Sequence, residues 1–290
     1  MKPALTLDEQ LRLLEGRGLS WSDPEPVKQF LHDVSYYRFT GYLRYFQRDP
    51  RNGDNTFHPG TTFEQVKRIY LFDDELRRWL FDGLCAFEVT FRARFAYEVA
   101  TRLGSPDHYL DLAAYHLRKG ADKPVELLKG VDRDLCQSKE PYIEKFRTAG
   151  ENVPVWAAAE VCSFGTVSKM YGLIKKPVIV KAVARTLNLS PDDAPGTVQS
   201  LSVLRNICAH HGRIWNRILK VPPPIRPDLR PQTASANRRS PWAWIVVLGD
   251  QVDRIQQASG HSGASFSAGL RDYLDEYPDL QHGLKHPRST

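Results

Sequence analysis

The 290-residue sequence has only four cysteines and two methionines. It also has no apolar run of the roughly 18 residues that a membrane-crossing helix needs. Cys85, Cys136, Cys162 and Cys208 lie far apart and form no CxxC pair. That spacing removes dithiol redox and zinc-ribbon motifs and fits reduced thiols. The opening MKPALTLDEQLRLL has no apolar signal-peptide stretch, so a cytoplasmic chain without a membrane span is expected. GxxxxGK[ST], GxGxxG and GxSxG are absent as well. Their absence argues against a nucleotide P-loop, a dinucleotide fingerprint and a serine-hydrolase elbow. No internal repeat and no alternating strand pattern stands out.

What is present is helical spacing and an uneven charge. Hydrophobic residues make up 41% and charged residues 26%, ordinary for a globular chain with a proper core. Net charge is +6, but residues 205–240 hold eight Arg and Lys against one acid, Asp228. A solvated loop can carry such an excess; so can a phosphate-binding surface. Residues 6–15 and 26–34 read as short helices, the second started by Asp23-Pro24. SYYRFTGYLRYF (35–46) reads as helix with Gly41 at a close approach, and the turn-rich 48–61 as a loop. Thr61 and Glu64 suggest a capping box. From there Ile69, Phe72, Leu76, Leu80, Leu84, Phe87, Phe91 and Phe95 recur at three- and four-residue steps. That run predicts a helix of about 40 residues, near 60 Å long. Glu88 and Arg92 lie one turn apart on it, as a surface ion pair would.

Residues 107–150 show helical fragments, and 153–174 a helix after Pro154 with a bend near Gly165. A helix over 178–187 follows, then a motif helix from Thr197 to about Lys220. VPPPIRPDLRP reads as an extended strap and Trp242–Gln257 as a last helix, with 259–269 and the tail from 278 mobile. The fold class expected is all-α.

The stretch LRNICAHHGRIWNR (204–217) concentrates the reactive side chains. On an unbroken helix Leu201, Leu204, Ile207, Cys208, His211, Ile214, Trp215 and Ile218 share a buried face. Asn206, His210, Arg213 and Arg217 share the opposite one. This phase makes His211 a core histidine and His210 the accessible one. Cys208, His210 and His211 cluster in sequence, but Cys208 and His210 point roughly 160° apart and no spaced ligand pair accompanies them. No metal and no cofactor is expected. A histidine titrating near neutral pH, arginines that grip phosphate and a nearby asparagine suffice for metal-free RNA cleavage, because RNA brings its own 2′-hydroxyl nucleophile.

Arg205-Asn206-Ile207-Cys208-Ala209-His210 resembles the RNxxxH form of the HEPN ribonuclease motif. SYYRFTGYL, GTTFEQVKRIYLFDDELRRWL, FEVTFRARFAY and VWAAAEVCSFGTVSKMY, together with the motif block, resemble the Abi-like family of the AbiD/AbiF type over roughly residues 5–225. The resemblance implies a HEPN-like helical bundle, a role in abortive infection against phage, and toxin-like RNase activity. It also implies association of some members with a small non-coding RNA. By motif position Arg205, Asn206 and His210 become the catalytic residues, with His211, Arg213, Glu88 and Arg92 supporting. RNA contacts fall to Arg213, Arg217, Lys220, Arg226 and Arg230. The chain then divides into an N-terminal helical segment (1–60) packing on the bundle, a HEPN-like core (61–225), and a C-terminal strap, helix and mobile tail (226–290).

Arg205 and His210 are five positions apart and diverge by about 140° on a continuous helix. They meet only if the helix starts or bends between them, or if a second motif completes the site. One motif per chain therefore implies a homodimer. Two other readings share these features: an RNA-binding module that does not cut, and a helical protein-interaction module.

Overall fold

The computed structural model describes residues 3–116, 123–260 and 263–289, and its core is built around one long helix. Three helices precede it: α1 (Leu7–Gly16), α2 (Pro24–Val34) and α3 (Tyr36–Leu43). Inside the turn-rich stretch a short antiparallel hairpin forms, β1 (Gln47–Asp49) with β2 (Asp54–Phe57). The spine α4 runs unbroken from Phe63 to Arg102. Its capping box is Thr62 with Gln65, one residue beyond the pair read from the sequence. The Thr61 hydroxyl is instead spent on the His58 carbonyl, at 2.7 Å.

α5 (Lys123–Gln137) and α6 (Pro141–Ala149) occupy the polar middle of the chain, where residues 117–122 lie outside the described residues. The next predicted helix is two, α7 (Val155–Val161) and α8 (Phe164–Leu173). They break at Cys162-Ser163, where Ser163 caps α8, rather than at Gly165. α9 (Pro177–Thr186) and α10 (Ala194–Ala209) follow. α4 packs against α7, α9 and α10, and α10 also packs on α8. Phe87, Phe91 and Phe95 are fully buried on α4 and meet Phe164 and Tyr171 of α8. Truncating such a ring costs about 3–5 kcal/mol.

The second half departs from expectation at several points, and the helix expected over Trp242–Gln257 is not the last. α10 starts three residues early, since Pro195 needs no amide partner in a first turn. It stops at Ala209, eleven positions short of Lys220. The strap holds a 3-10 turn and the short α11 (Arg230–Thr233), and then α12 (Pro241–Ala258) packs on α4. The Gly/Ser stretch 259–269, read as mobile, includes the first turn of α13 (Phe266–Asp275), and the tail from 278 holds α14 (Gln281–Lys285). Phe266, Leu270, Leu274, Leu280 and Leu284 carry them into the same core. Residues 261, 262 and 290, part of that expectation, lie outside the described residues. No described helix is long and apolar enough to cross a membrane.

Candidate functional site

The motif helix ends in a hydrogen-bonded stop. The Gly212 amide donates to the Ile207 carbonyl at 2.7 Å and the His211 amide to Cys208 at 3.0 Å. His211 sits between them in the left-handed region, with φ +52°. This is the Schellman arrangement, with histidine where glycine is usual. Gly212 cannot be enlarged freely, because an added Cβ would lie 3.1 Å from the Ile207 side chain.

That stop corrects the wheel beyond residue 209. Leu201, Leu204 and Cys208 are buried, and Asn206 and His210 are exposed, as the helical phase requires. His211 is exposed rather than buried, because the left-handed residue turns the chain outward. Ile218 is exposed too. Ile214 and Trp215 are buried, although by a folded turn rather than a further helical turn. Arg213 and Arg217 do not extend the exposed stripe. Arg213 donates to the Trp215 and Asn216 carbonyls at 2.7 and 3.0 Å, and Arg217 Nε to the Arg213 carbonyl at 2.5 Å. Desolvation lowers the pKa of both guanidinium groups. Gly41 makes room for this arrangement, since its missing Cβ would lie 3.4 Å from Arg213 Nε.

The turn is pinned from α4. Asp73, fully buried, accepts the backbone amides of Ile214 and Trp215 at 3.1 and 2.7 Å. The same carboxylate takes the Tyr42 hydroxyl at 2.6 Å and Arg77 Nη1 at 2.8 Å. Burial and the Asp73 charge push the Tyr42 hydroxyl far above its ordinary pKa, so it stays a donor. Arg38 adds a bond to the His211 carbonyl at 2.5 Å. None of Asp73, Tyr42, Arg77 and Arg38 stood out as a site residue in the sequence. One signal was available: Asp73 interrupts the apolar face formed by Ile69, Leu76 and Leu80.

The start of the motif is held differently. Glu88 and Arg92, expected as a surface pair, are both buried. Glu88 Oε1 accepts Arg92 Nε at 3.0 Å, and Arg92 Nη1 also donates to the Ala159 and Cys162 carbonyls at the end of α7. Those carbonyls form the negative end of the helix and suit a cation. Glu88 Oε2 lies 2.8 Å from Arg205 Nε. One carboxylate thus serves two arginines and ties α7, α4 and α10 together. Arg205 keeps about a third of its side chain in solvent, beside exposed Asn206. Cys85, one turn before Glu88, has its thiol pKa raised by desolvation and by the Glu88 charge, which disfavours a thiolate nucleophile.

Of the other basic residues, Arg226 is engaged by Asp228 and Asp250 at 2.6 and 3.1 Å, while Lys220 and Arg230 are exposed. Among the described residues no three His, Cys, Asp or Glu side chains are grouped to hold a metal ion.

A family model for Abi-like proteins matches residues 29–216, well over half of the chain. The chain belongs to the Abi-like protein family. No curated protein and no solved structure matches it. Abi-like membership associates the chain with abortive-infection defence. The matched span contains Asp73, Glu88 and the whole motif, and ends at Asn216. At that residue the unmatched C-terminal segment takes over. The Asn216 amide donates to Gly283, its side chain exchanges two bonds with the Arg288 backbone, and Trp215 Nε1 donates to Leu280. Gly283 sits so close to the Trp215 ring that a Cβ would lie 2.2 Å from it. The tail thus braces the turn after the motif.

Proposed function

We propose that this Abi-like protein is a HEPN-type, metal-independent endoribonuclease acting as a toxin in defence against phage. The observation that carries the reading is the sharing of Glu88 by two arginines, which leaves the site cationic and Arg205 with open donors at the surface. A phosphate accepts from such a guanidinium in a two-point contact. Exposed His210 supplies the proton transfer, and Asn206, one turn before it, orients the phosphate or the imidazole. The RNA 2′-hydroxyl attacks, and the products carry a 2′,3′-cyclic phosphate and a 5′-hydroxyl.

α10 is unbroken to Ala209 and His210 is its cap, so no bend lies between Arg205 and the end of the helix. The divergence of Arg205 from His210, about 140°, therefore persists within one chain. A second copy bringing its own Arg205 and His210 resolves this, and the reading includes a homodimer. An uncharged stripe on α4 supports it: Phe81, Cys85, Val89, Ala93 and Tyr97 recur every four residues on the solvent side, with Val89 68% and Tyr97 65% exposed. The stripe runs directly beside Glu88. Lys220 and Arg230 are exposed and remain available for RNA, while Arg213 Nη1, Arg217 Nε and the Arg226 guanidinium are bonded within the protein.

The test is cleavage of RNA by wild type and His210→Ala in EDTA. Wild type should cut with the stated end groups and His210→Ala should not, with unchanged RNA affinity and melting temperature. Loss of wild-type activity on chelation with rescue by Mg²⁺, or products with 5′-phosphates, overturns the mechanism. RNA binding without cleavage by a monomer would favour an RNA-binding module instead.

A further inference from the structure

A cavity of about 400 Å³ lies at the other end of the motif helix, between the start of α5, the C-terminal half of α8 and the first turn of α10. From Gly196 in that turn to His210 is about 21 Å along the helix. The cavity therefore stands apart from the motif, and a ligand there is independent of the nuclease reading. Its volume falls in the range of small-molecule sites, about 300–1,000 Å³.

Three independent features give it a chemistry. Ser168, 3% exposed, lines it and has a hydroxyl with no hydrogen-bond partner. A helical serine ordinarily bonds a carbonyl one turn back, so a buried free hydroxyl in a cavity wall is a waiting contact. Lys123 and Lys169 stand on the rim, exposed and without an ion-pair partner among the described residues, against one acid, Glu126. Asp193 places no side chain on the first-turn amides of α10, and Pro195 has none to offer. Gly196 thus presents the positive end of a 16-residue helix to the cavity. Leu127 and Leu173 supply an apolar wall.

We propose that this cavity binds a phosphorylated small molecule of mononucleotide size. Lys123, Lys169 and the Gly196 amide hold the phosphate, the apolar wall takes the ring, and Ser168 bonds a polar edge. Gly172 offers a direct way to block it, because a Cβ added there meets nothing within 4 Å and a longer side chain would grow into open space at the cavity wall.

Wild type should be titrated calorimetrically with the four common ribonucleoside monophosphates and diphosphates, and with inorganic phosphate. At least one nucleotide should bind, and tighter than inorganic phosphate. Gly172→Leu, and separately Lys123→Glu with Lys169→Glu, should weaken that nucleotide at least roughly tenfold, which is 1.4 kcal/mol. Circular dichroism checks that each variant is folded; if Gly172→Leu is not, the lysine pair and Ser168→Ala decide. Absence of binding by every nucleotide overturns the proposal. So does inorganic phosphate binding as tightly, or full affinity in the folded variants.

Discussion

Asp73 and Glu88 sit 15 residues apart on one helix, about 22 Å, and each reaches the motif block through a carboxylate. Asp73 is closed in. Four donors, two of them backbone amides, fill its acceptors, and no group around it reaches solvent freely. Glu88 is also buried, but its second oxygen faces an arginine that emerges at the surface. The first network fixes where the chain goes after the helix. The second fixes a charge while leaving it usable. Burial of a charged residue is therefore a poor guide to function on its own; what matters is whether the last member of the network retains an open valence.

Breaking the closed network should cost most. Asp73→Ala leaves Arg77, whose side chain is 4% exposed, with Asp74 as its remaining counter-charge, and leaves the Tyr42 O–H donor and two backbone amides without acceptors. Removing one partner of a buried ion pair costs about 3–5 kcal/mol. For a chain of this size that lowers the melting temperature by about 5–8 °C. A loss under about 1 kcal/mol in chemical denaturation would show that the turn after the motif holds without Asp73.

Next comes the surface beside the open network. Val89 adjoins Glu88 and is 68% exposed, so Val89→Arg should leave the fold intact. If the α4 stripe joins two copies, a charge there desolvates badly on both sides of a twofold interface. Analytical ultracentrifugation should show monomers, and RNA cleavage should vanish. A Val89→Arg dimer with full activity would remove this face from the assembly.

A smaller effect separates charge from position. Glu88→Gln keeps an oxygen for Arg92 but removes the charge that holds Arg205. RNA affinity should hold or rise, because a negative charge near phosphate is gone. Cleavage should fall about 10²-fold, the usual consequence of displacing a positioned group by about 1 Å. Parallel losses in binding and cleavage would instead mean that Glu88 only supports the fold.

The long helix was legible because its apolar residues recur over about ten turns and no proline interrupts the chain. Its two carboxylates were not equally legible. Asp73 breaks the apolar face, a signal present in the sequence. Glu88 sits one turn before Arg92 as any surface pair does, and only the packing of α7 over it shows otherwise. Arg205, Asn206 and His210 carry a recognisable spacing, whereas the fate of Arg213 and Arg217 depends on a turn with no glycine at its left-handed residue. The packed tail was hidden for a similar reason. Its apolar residues are sparse among Gly and Ser, and their partners, Trp215 and Asn216, lie about 70 residues earlier.

The smallest predicted effect concerns that left-handed residue. On an unbroken helix His211 is buried and its removal lowers stability; in the fold it is exposed, at φ +52°. A non-glycine residue held there costs on the order of 1 kcal/mol. Part of any gain from glycine is returned to the more flexible unfolded chain. His211→Gly should therefore raise stability by about 0.5 kcal/mol, or about 1 °C in melting temperature. His211→Ala, which relieves nothing, should leave it near wild type. The Arg38 bond to the His211 carbonyl and both bonds of the helix stop use backbone atoms and survive either change. Cleavage should also survive, since His210 stays at the C-cap of the helix. A clear loss of stability in His211→Gly would restore His211 to the interior, and with it a helix that continues past Ala209.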